Sequence, residues 1–288
     1  MGLLLITRFT IQEALRRKLL LAMLILGLLL LGLFAFALQK SIEGLDIAHP
    51  ATSSSSILLL SVALTLPAMW IVFMLSSILT ILFTIGMISN EVDAGTLVLI
   101  VPKPLRRSEI VIGKWLGHAL IVCLYTTTLF LAFAGVIDWQ TGYLPDQLWP
   151  ALGILLLGML TLLGLTTLGS ALFPTAVNGA IALVLFLAAP IMSIVEAVQI
   201  DTPSRALQNI ATSIDLILPI NAFWHTTAFY LTPSATFLIV QGLSGRNTSN
   251  LIPFMSPQPL APAMLIWGIL YIIALPALAV LYFSKRDL

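Results

Sequence analysis

The sequence predicts an all-α membrane protein with six transmembrane helices, because of its composition, the spacing of its charges and the sidedness of its basic residues. The chain has 288 residues, of which 59% are hydrophobic and only 9% are charged. Its mean hydropathy is +1.08. A soluble domain carries about 25% charged residues, and disordered chains are poor in apolar residues, so both classes are excluded. The single cysteine excludes a disulfide framework, and a net charge of +1 indicates no nucleic-acid partner.

Long stretches without Asp, Glu, Lys or Arg define the predicted spans. A helix needs about 20 apolar residues to cross the hydrocarbon core of a bilayer. One uncharged stretch, 147–195, is too long for a single helix, and we divide it at residues 173–179, where Pro174 and the Asn178-Gly179 pair predict a tight turn. The six predicted spans are 19–38, 57–88, 115–137, 151–172, 180–198 and 264–283.

The basic residues predict the orientation of these spans. With six spans, ten Lys and Arg residues fall on the side that carries both termini and loop 89–114, and three fall on the opposite side. The positive-inside rule therefore places both termini in the cytoplasm. We expect a multi-pass protein of the cytoplasmic membrane, with one transmembrane domain covering residues 1–288.

Two segments outside the spans are predicted to be helical and to lie at the membrane surface. Residues 1–18 form an amphipathic lead in which Leu5, Ile6 and Phe9 can face lipid. The outer loop 199–263 contains a periodic helix at 203–218, followed by an uncharged segment, 216–245, that is either re-entrant or interfacial. This outer cap is represented by Leu207, Ile210 and Ile214, and by Trp224 as part of an interfacial aromatic belt.

Loop 89–114 carries the most informative motif of the chain. It reads Glu91-x-x-x-Gly95-Thr96-Leu97 and then Pro104-x-x-Arg107-x-x-x-x-x-Gly113-Lys114. This pattern resembles the permease subunits of type-2 ATP-binding-cassette (ABC) transporters. The N-terminal segment 10–18 and the C-terminal segment 284–288 are similar to the branch that serves multi-copper-enzyme and nitrous-oxide-reductase maturation.

The resemblance implies a non-enzymatic half-transporter that exports a substrate. Two permease chains, identical or homologous, would pair in the lipid bilayer, and each would bind a separate ABC ATPase subunit through a short coupling helix in loop 89–114. ATP and Mg²⁺ would reside on that ATPase, and no cofactor is expected on this chain. The coupling residues implied by the resemblance are Glu91, Gly95, Thr96, Pro104, Arg107 and Lys114.

The remaining chemistry of the sequence is sparse. No G-x-x-x-x-G-K-[ST] phosphate loop and no H-E-x-x-H or C-x-x-C metal motif occurs. Hydroxyl residues are frequent in the predicted spans and either pack helices together or line a pathway, as Gly113-x-x-x-Gly117 would also favour close packing. These hydroxyl residues are Ser76, Ser77, Thr80, Thr84, Thr126–Thr128, Thr161, Thr166, Thr167 and Ser170.

Two alternative functions stay open at this point. An intramembrane acyl- or glycosyl-transferase would need a catalytic constellation, for which His225 with Asp215 is the only candidate. A non-catalytic assembly subunit would need no such group. A neighbouring ATPase gene would favour the transporter over both alternatives.

Overall fold

The computed structural model describes residues 2–48, 53–89, 107–198, 205–233 and 259–285. In this part of the chain, all regular structure is α-helical, which confirms the predicted class. The helices are α1 (Gly2–Arg16), α2 (Lys18–Ala48), α3 (Ser53–Thr84), α4 (Arg107–Thr141), α5 (Leu148–Leu172), α6 (Thr175–Val198), α7 (Arg205–Ile217), α8 (Ile220–Leu231) and α9 (Pro262–Lys285).

Five of the described helices are long and apolar enough to cross a membrane. Their spanning segments are Lys18–Gly44, Leu60–Thr84, Ser108–Thr141, Leu148–Leu172 and Pro262–Lys285. The predicted span 180–198 falls in α6, where the apolar segment that qualifies by composition is the shorter Thr175–Ala188. The described structure therefore carries five candidate spans, whereas the sequence predicts six.

The connection between α5 and α6 is shorter than the sequence predicts. Helix α5 ends at Leu172 and α6 begins at Thr175, so Asn178 and Gly179 lie inside α6. The prediction of a tight turn at Asn178-Gly179 is therefore wrong. The reason is tertiary: the Asn178 side chain finds partners on two other helices and does not need a turn to satisfy it.

Helices α3, α4 and α5 form the centre of the bundle. Their facing side chains, among them Phe73, Phe130 and Leu162, are fully buried. Helix α2 lies at the periphery and leaves most of its leucines exposed, as expected of a surface that meets lipid or another chain. The predicted hydroxyl residues of α3 and α5 are buried, and most donate to a carbonyl one turn earlier in their own helix, as Thr80 does to Ser76.

Helix α1 packs against α4 through the Gly113-x-x-x-Gly117 motif. A Cβ at Gly113 would lie 2.9 Å from Ile6, and a Cβ at Gly117 would lie 2.8 Å from Thr10. Thr7 adds a hydrogen bond from Oγ1 to the Gly113 carbonyl, at 3.1 Å. The prediction of close packing at this motif is confirmed, but Ile6 faces α4 and not lipid, because the missing glycine side chains open a groove for it.

Filling that groove is expected to release α1. The change Gly117→Leu should overpack the contact with Thr10 and cost about 1–3 kcal/mol of docking free energy. A cysteine placed at the buried Ala14, in a Cys123→Ala background, should then react faster with a soluble thiol reagent. Gly135→Leu is the matched control on α4, since a Cβ at Gly135 meets nothing within 4 Å. Equal reactivity in both variants would contradict the docking of α1.

Both ends of the described chain lie at one end of the bundle. Phe283, near the end of α9, packs with Ile88 and Val111, which flank loop 89–114. Helix α1 meets α4 at Gly113, close to the same residues. We name this the loop end of the bundle, and the opposite end, where α4 leads into α5, the far end.

Candidate functional site at the end of α3

The turn at residues 85–89 connects α3 to loop 89–114 and is the best defined part of the loop end. Two bonds are local: Ile85 N donates to Ile81 O, and Met87 N donates to Thr84 O. A helix end leaves several backbone groups without a partner in the helix, and in a buried position these must be satisfied from elsewhere. In this turn the partners are side chains of α4, α5 and α6.

Lys114 on α4 binds a backbone carbonyl of the turn. Its Nζ donates to the carbonyl of Met87 at 2.9 Å. The ammonium group thus satisfies a carbonyl that follows the helical part of α3, and a bond from a charged donor is stronger than one between neutral groups. Lys114 is the one predicted coupling residue whose side chain contacts are described.

Two hydroxyl residues of α5 bind the backbone N–H groups of the turn and the end of α3. Ser170 Oγ accepts hydrogen bonds from the backbone N–H groups of Ile88 and Ser89, at 2.7 and 3.3 Å. One turn earlier, Thr84 Oγ1 donates to Thr166 Oγ1 at 2.6 Å. These bonds fix the register of α3 against α5 at the point where the loop begins.

Helix α6 completes the arrangement through its first turn. The hydroxyls of Ser89 and Thr175 lie 2.7 Å apart. Asn178 Nδ2 donates to the carbonyls of Ile85 and Thr166, at 2.8 and 3.0 Å. One amide group therefore joins α6 to both α3 and α5.

We call this set the polar junction: the turn 85–89 together with Thr84, Lys114, Thr166, Ser170, Thr175 and Asn178. Most of its side chains are buried. Breaking a hydrogen bond of a buried polar group costs much free energy, because no water replaces the lost partner. The junction should therefore move as one body with whatever displaces the loop.

Charged side chains at the end of α1 and on α4 lie beside the junction. Arg17 Nη2 and Glu13 Oε1 form an ion pair at 2.6 Å. Burial raises the pKa of Glu13, but the hydrogen bond and charge of Arg17, with a contribution from Lys114, lower the pKa to below its usual value. Glu13 is therefore ionised at neutral pH and offsets the positive charge that α1 brings to the loop end.

Comparison with known protein families shows the family to which the chain belongs. Residues 5–288 match the ABC-2 family transporter proteins. The chain belongs to this family. The protein is thus a multi-pass membrane permease of the ABC transporter type, and such members are typically non-catalytic membrane subunits that imply an ATPase partner in general. The match gives no support for the copper-enzyme maturation branch, and no curated protein matches the chain.

The side chains of the other five predicted coupling residues of this ABC-2 protein lie outside the described part of the structure. Glu91, Gly95, Thr96 and Pro104 lie outside the described residues. Arg107 is the first residue of α4, which begins inside the predicted loop 89–114, and its side chain lies outside the description as well. The sequence indicates Thr84, Thr166 and Ser170 as hydroxyl residues of the spans that either pack helices or line a pathway, whereas it predicts a turn at Asn178.

Helices α7 and α8 of the ABC-2 chain form a helical hairpin that enters the bundle. Phe223, near the start of α8, lies beside Gly158, which is ten residues, or about 15 Å of helix, after the start of α5 at Leu148. Thr227, one turn later, donates to Ala151 O at 3.4 Å, so α8 runs back toward the far end. The hairpin tip, Leu218 and Pro219, is buried.

The hairpin is held by aromatic residues. Trp224 is 1% exposed and lies against Trp70 and Phe73, with ring centroids at 4.9 and 5.1 Å. The prediction of an interfacial belt is therefore wrong for Trp224, because α8 turns this residue into the core. On α9, Trp267 Nε1 donates to Leu216 O at 3.0 Å and Tyr271 OH donates to Ile217 O, which satisfies carbonyls at the end of α7.

The other residues of the predicted outer cap differ in exposure. Ile210 on α7 is exposed and Ile214 is half-buried. The side chain of Leu207 lies outside the description. Their role as a cap stays a prediction.

Proposed function

We propose that this chain is the permease half of an ABC exporter, in which two permease chains pair and bind two separate ATPase subunits. Loop 89–114 is the element that docks on the ATPase. The observation that carries this proposal is the polar junction, because it ties the turn directly before the loop to α4, α5 and α6 at once. A displacement of the loop by the ATPase then moves four helix ends together.

The docking element takes its chemistry from the predicted coupling residues. Glu91 and Arg107 bracket the loop with opposite charges, and Gly95 allows close approach to a partner surface. Thr96 can cap the helix that follows, and Pro104 ends it. Lys114 holds the loop to its base through Met87 O.

A six-span topology with cytoplasmic termini completes the proposal. Both α1 and the end of α9 lie at the loop end, and a chain that begins and ends on one side crosses the membrane an even number of times. The five candidate spans need α6 as the sixth. Its 24 residues would extend about 36 Å, enough for the hydrocarbon core.

Cysteine labelling tests this topology. In a Cys123→Ala background, a membrane-impermeant thiol reagent applied from outside should modify a cysteine at Asn247 and spare cysteines at Ser108 and Ser284. The reason is the ten-to-three excess of basic residues on the loop side. Labelling of Ser284→Cys from outside would rule out six spans.

Purification with a partner tests the function itself. The tagged chain in mild detergent should bring with it an ATPase that carries a Walker phosphate loop. We expect Glu91→Ala and Gly95→Leu to leave the chain folded but to lower transport-stimulated ATP hydrolysis. Loss of one partner of a buried charge pair costs about 2–5 kcal/mol, and an exposed pair costs much less.

The matched control for the coupling variants is Thr128→Ala. Thr128 is an exposed hydroxyl on α4 that bonds only within its own helix in the described structure. It should leave both partner binding and hydrolysis unchanged. If both coupling variants behave like this control, loop 89–114 is not the docking element.

A further inference from the structure

Helix α6 is attached to the bundle in a way that singles out one residue. Much of its apolar surface is exposed, including Val177, Ile181 and Val184. At its start it joins the polar junction, and about two turns after Asn178, Phe186 packs on Phe73 with ring centroids at 5.8 Å. Helix α6 therefore follows α3 mainly through contacts at a few points. Its polar contacts there are the hydroxyl pair of Thr175 with Ser89 and the two bonds of Asn178, which reach both the turn after α3 and α5.

Asn178 is held in place from every side. It is 2% exposed, and its amide donates to Ile85 O and Thr166 O. The opposite edge of the amide rests on the backbone of α5, since a Cβ at Gly169 would lie 2.0 Å from Asn178 Oδ1. No side chain larger than glycine fits at position 169 while the amide keeps this position.

The carbonyl of Ile85, which accepts a hydrogen bond from Asn178, lies between the end of α3 and loop 89–114. Ile85 follows the last helical residue of α3, Thr84, and precedes loop 89–114 by only a few residues. Any rotation of the turn 85–89 displaces the Ile85 carbonyl, and the short bond to Asn178 passes the displacement to the first turn of α6. Helix α6 in turn packs on α7, which leads to the buried tip of the hairpin.

We propose that Asn178 is the positioning residue that transmits movement of the loop from α3 to α6, and through α6 to the α7–α8 hairpin at the far end. This inference rests on the proposed function, since the loop moves only when an ATPase acts on it. The amide donates two hydrogen bonds. The bond to Ile85 O couples α6 to the turn after α3, and the bond to Thr166 O keeps α6 in register with α5. A group that fills the same space but cannot donate breaks the transmission and leaves the helices packed.

Two variants separate the bond from the packing. Asn178→Leu keeps the approximate shape of the side chain but has no N–H or O–H to offer either carbonyl. Gly169→Ala keeps Asn178 and displaces its amide by a steric clash. If the transmission depends on this amide, the double variant Asn178→Ala with Gly169→Ala should be no worse than Asn178→Ala alone, because the clash has lost its target.

The readout is the reactivity of the hairpin in the complete complex with its ATPase, reconstituted in lipid vesicles. A cysteine at the exposed Ile210, in a Cys123→Ala background, is labelled with and without ATP and a hydrolysis inhibitor. We expect an ATP-dependent change of labelling rate in the parent and in Thr128→Ala. Asn178→Leu and Gly169→Ala should lose that change while they still co-purify with the ATPase.

The outcomes distinguish this inference from the function on which it rests. If the parent complex contains no ATPase, the proposed function fails and the inference fails with it. If the complex contains the ATPase but its labelling at position 210 does not respond to ATP, the transmission to the hairpin is overturned and the proposed function is not. If the parent responds and both variants respond equally, only the role of Asn178 is overturned. Should Asn178→Leu not fold, Asn178→Ser replaces it, because a serine hydroxyl can bond to the Pro174 carbonyl of its own helix turn.

Discussion

Replacing Trp224 with alanine is expected to lower the free energy of unfolding by up to about 3–5 kcal/mol, the range for removal of a buried Trp or Phe. The side chain is 1% exposed and contacts Trp70 and Phe73, so its removal leaves a large cavity between α3 and α8. In a membrane the unfolded helices stay in lipid, so little free energy is lost by moving the side chain out of the protein core. The lost packing contacts therefore dominate the effect. The midpoint of thermal unfolding in detergent measures the change.

The origin of this effect can be separated from hydrogen bonding. The Trp224 indole N–H has no hydrogen-bond partner among the residues that the structure describes. Trp224→Phe should therefore recover most of the lost stability, because it restores a ring and sacrifices no bond. Trp149→Ala is the matched control, since Trp149 is 69% exposed and should change the midpoint little. A comparable loss in Trp149→Ala would contradict the core position of α8.

Replacing Phe223 with alanine is expected to have an effect of similar size, about 3–5 kcal/mol at most. The Phe223 ring occupies a slot between α5 and α9: a Cβ at Gly158 would lie 3.1 Å from Phe223 Cβ, and a Cβ at Gly268 would lie 2.3 Å from Phe223 Cζ. The ring thus joins the hairpin to both helices. Its loss should lower the unfolding midpoint and also raise the rate at which Ile210→Cys on α7 reacts.

The slot provides its own test. Gly268→Ala should destabilise the chain because the new methyl group overlaps with the Phe223 ring. Gly153→Ala on α5, where a Cβ meets nothing within 4 Å, is the control and should be neutral or slightly stabilising. Stability changes of equal size in the two glycine variants would show that Phe223 does not fill this slot.

Parts of the candidate site could be predicted from the sequence, and others could not. Lys114, the hydroxyls of Thr84, Thr166 and Ser170, and the close-packing glycines Gly113 and Gly117 were all recognisable by residue type. Their partners were not, because a hydroxyl in an apolar stretch indicates burial but not the helix that it meets. Loop 89–114 was predicted from its motif, and most of its residues lie outside the described part of the chain.

Asn178 and Trp224 show why local signals are insufficient. An Asn-Gly pair after a proline is typical of a turn, because the short polar side chain usually bonds to its own backbone. Here Asn178 bonds to Ile85 and Thr166, 93 and 12 residues away, so the helix continues through it. A tryptophan among other aromatic residues outside the predicted spans is typical of the membrane interface, but Trp224 turns inward because α8 lies between α3 and α5.

The sequence by itself determined the helical membrane class of the protein and its likeness to ABC transporter permeases. The class follows from transfer free energies and helical periodicity, which depend on residues near one another in the chain, and the likeness rests on the motif of loop 89–114. Only the tertiary structure decided that α1 docks in the glycine groove of α4, that α8 enters the bundle and that Asn178 joins α6 to α3. Those outcomes depend on close contact and hydrogen-bond satisfaction between residues far apart in sequence, and no local pattern records them.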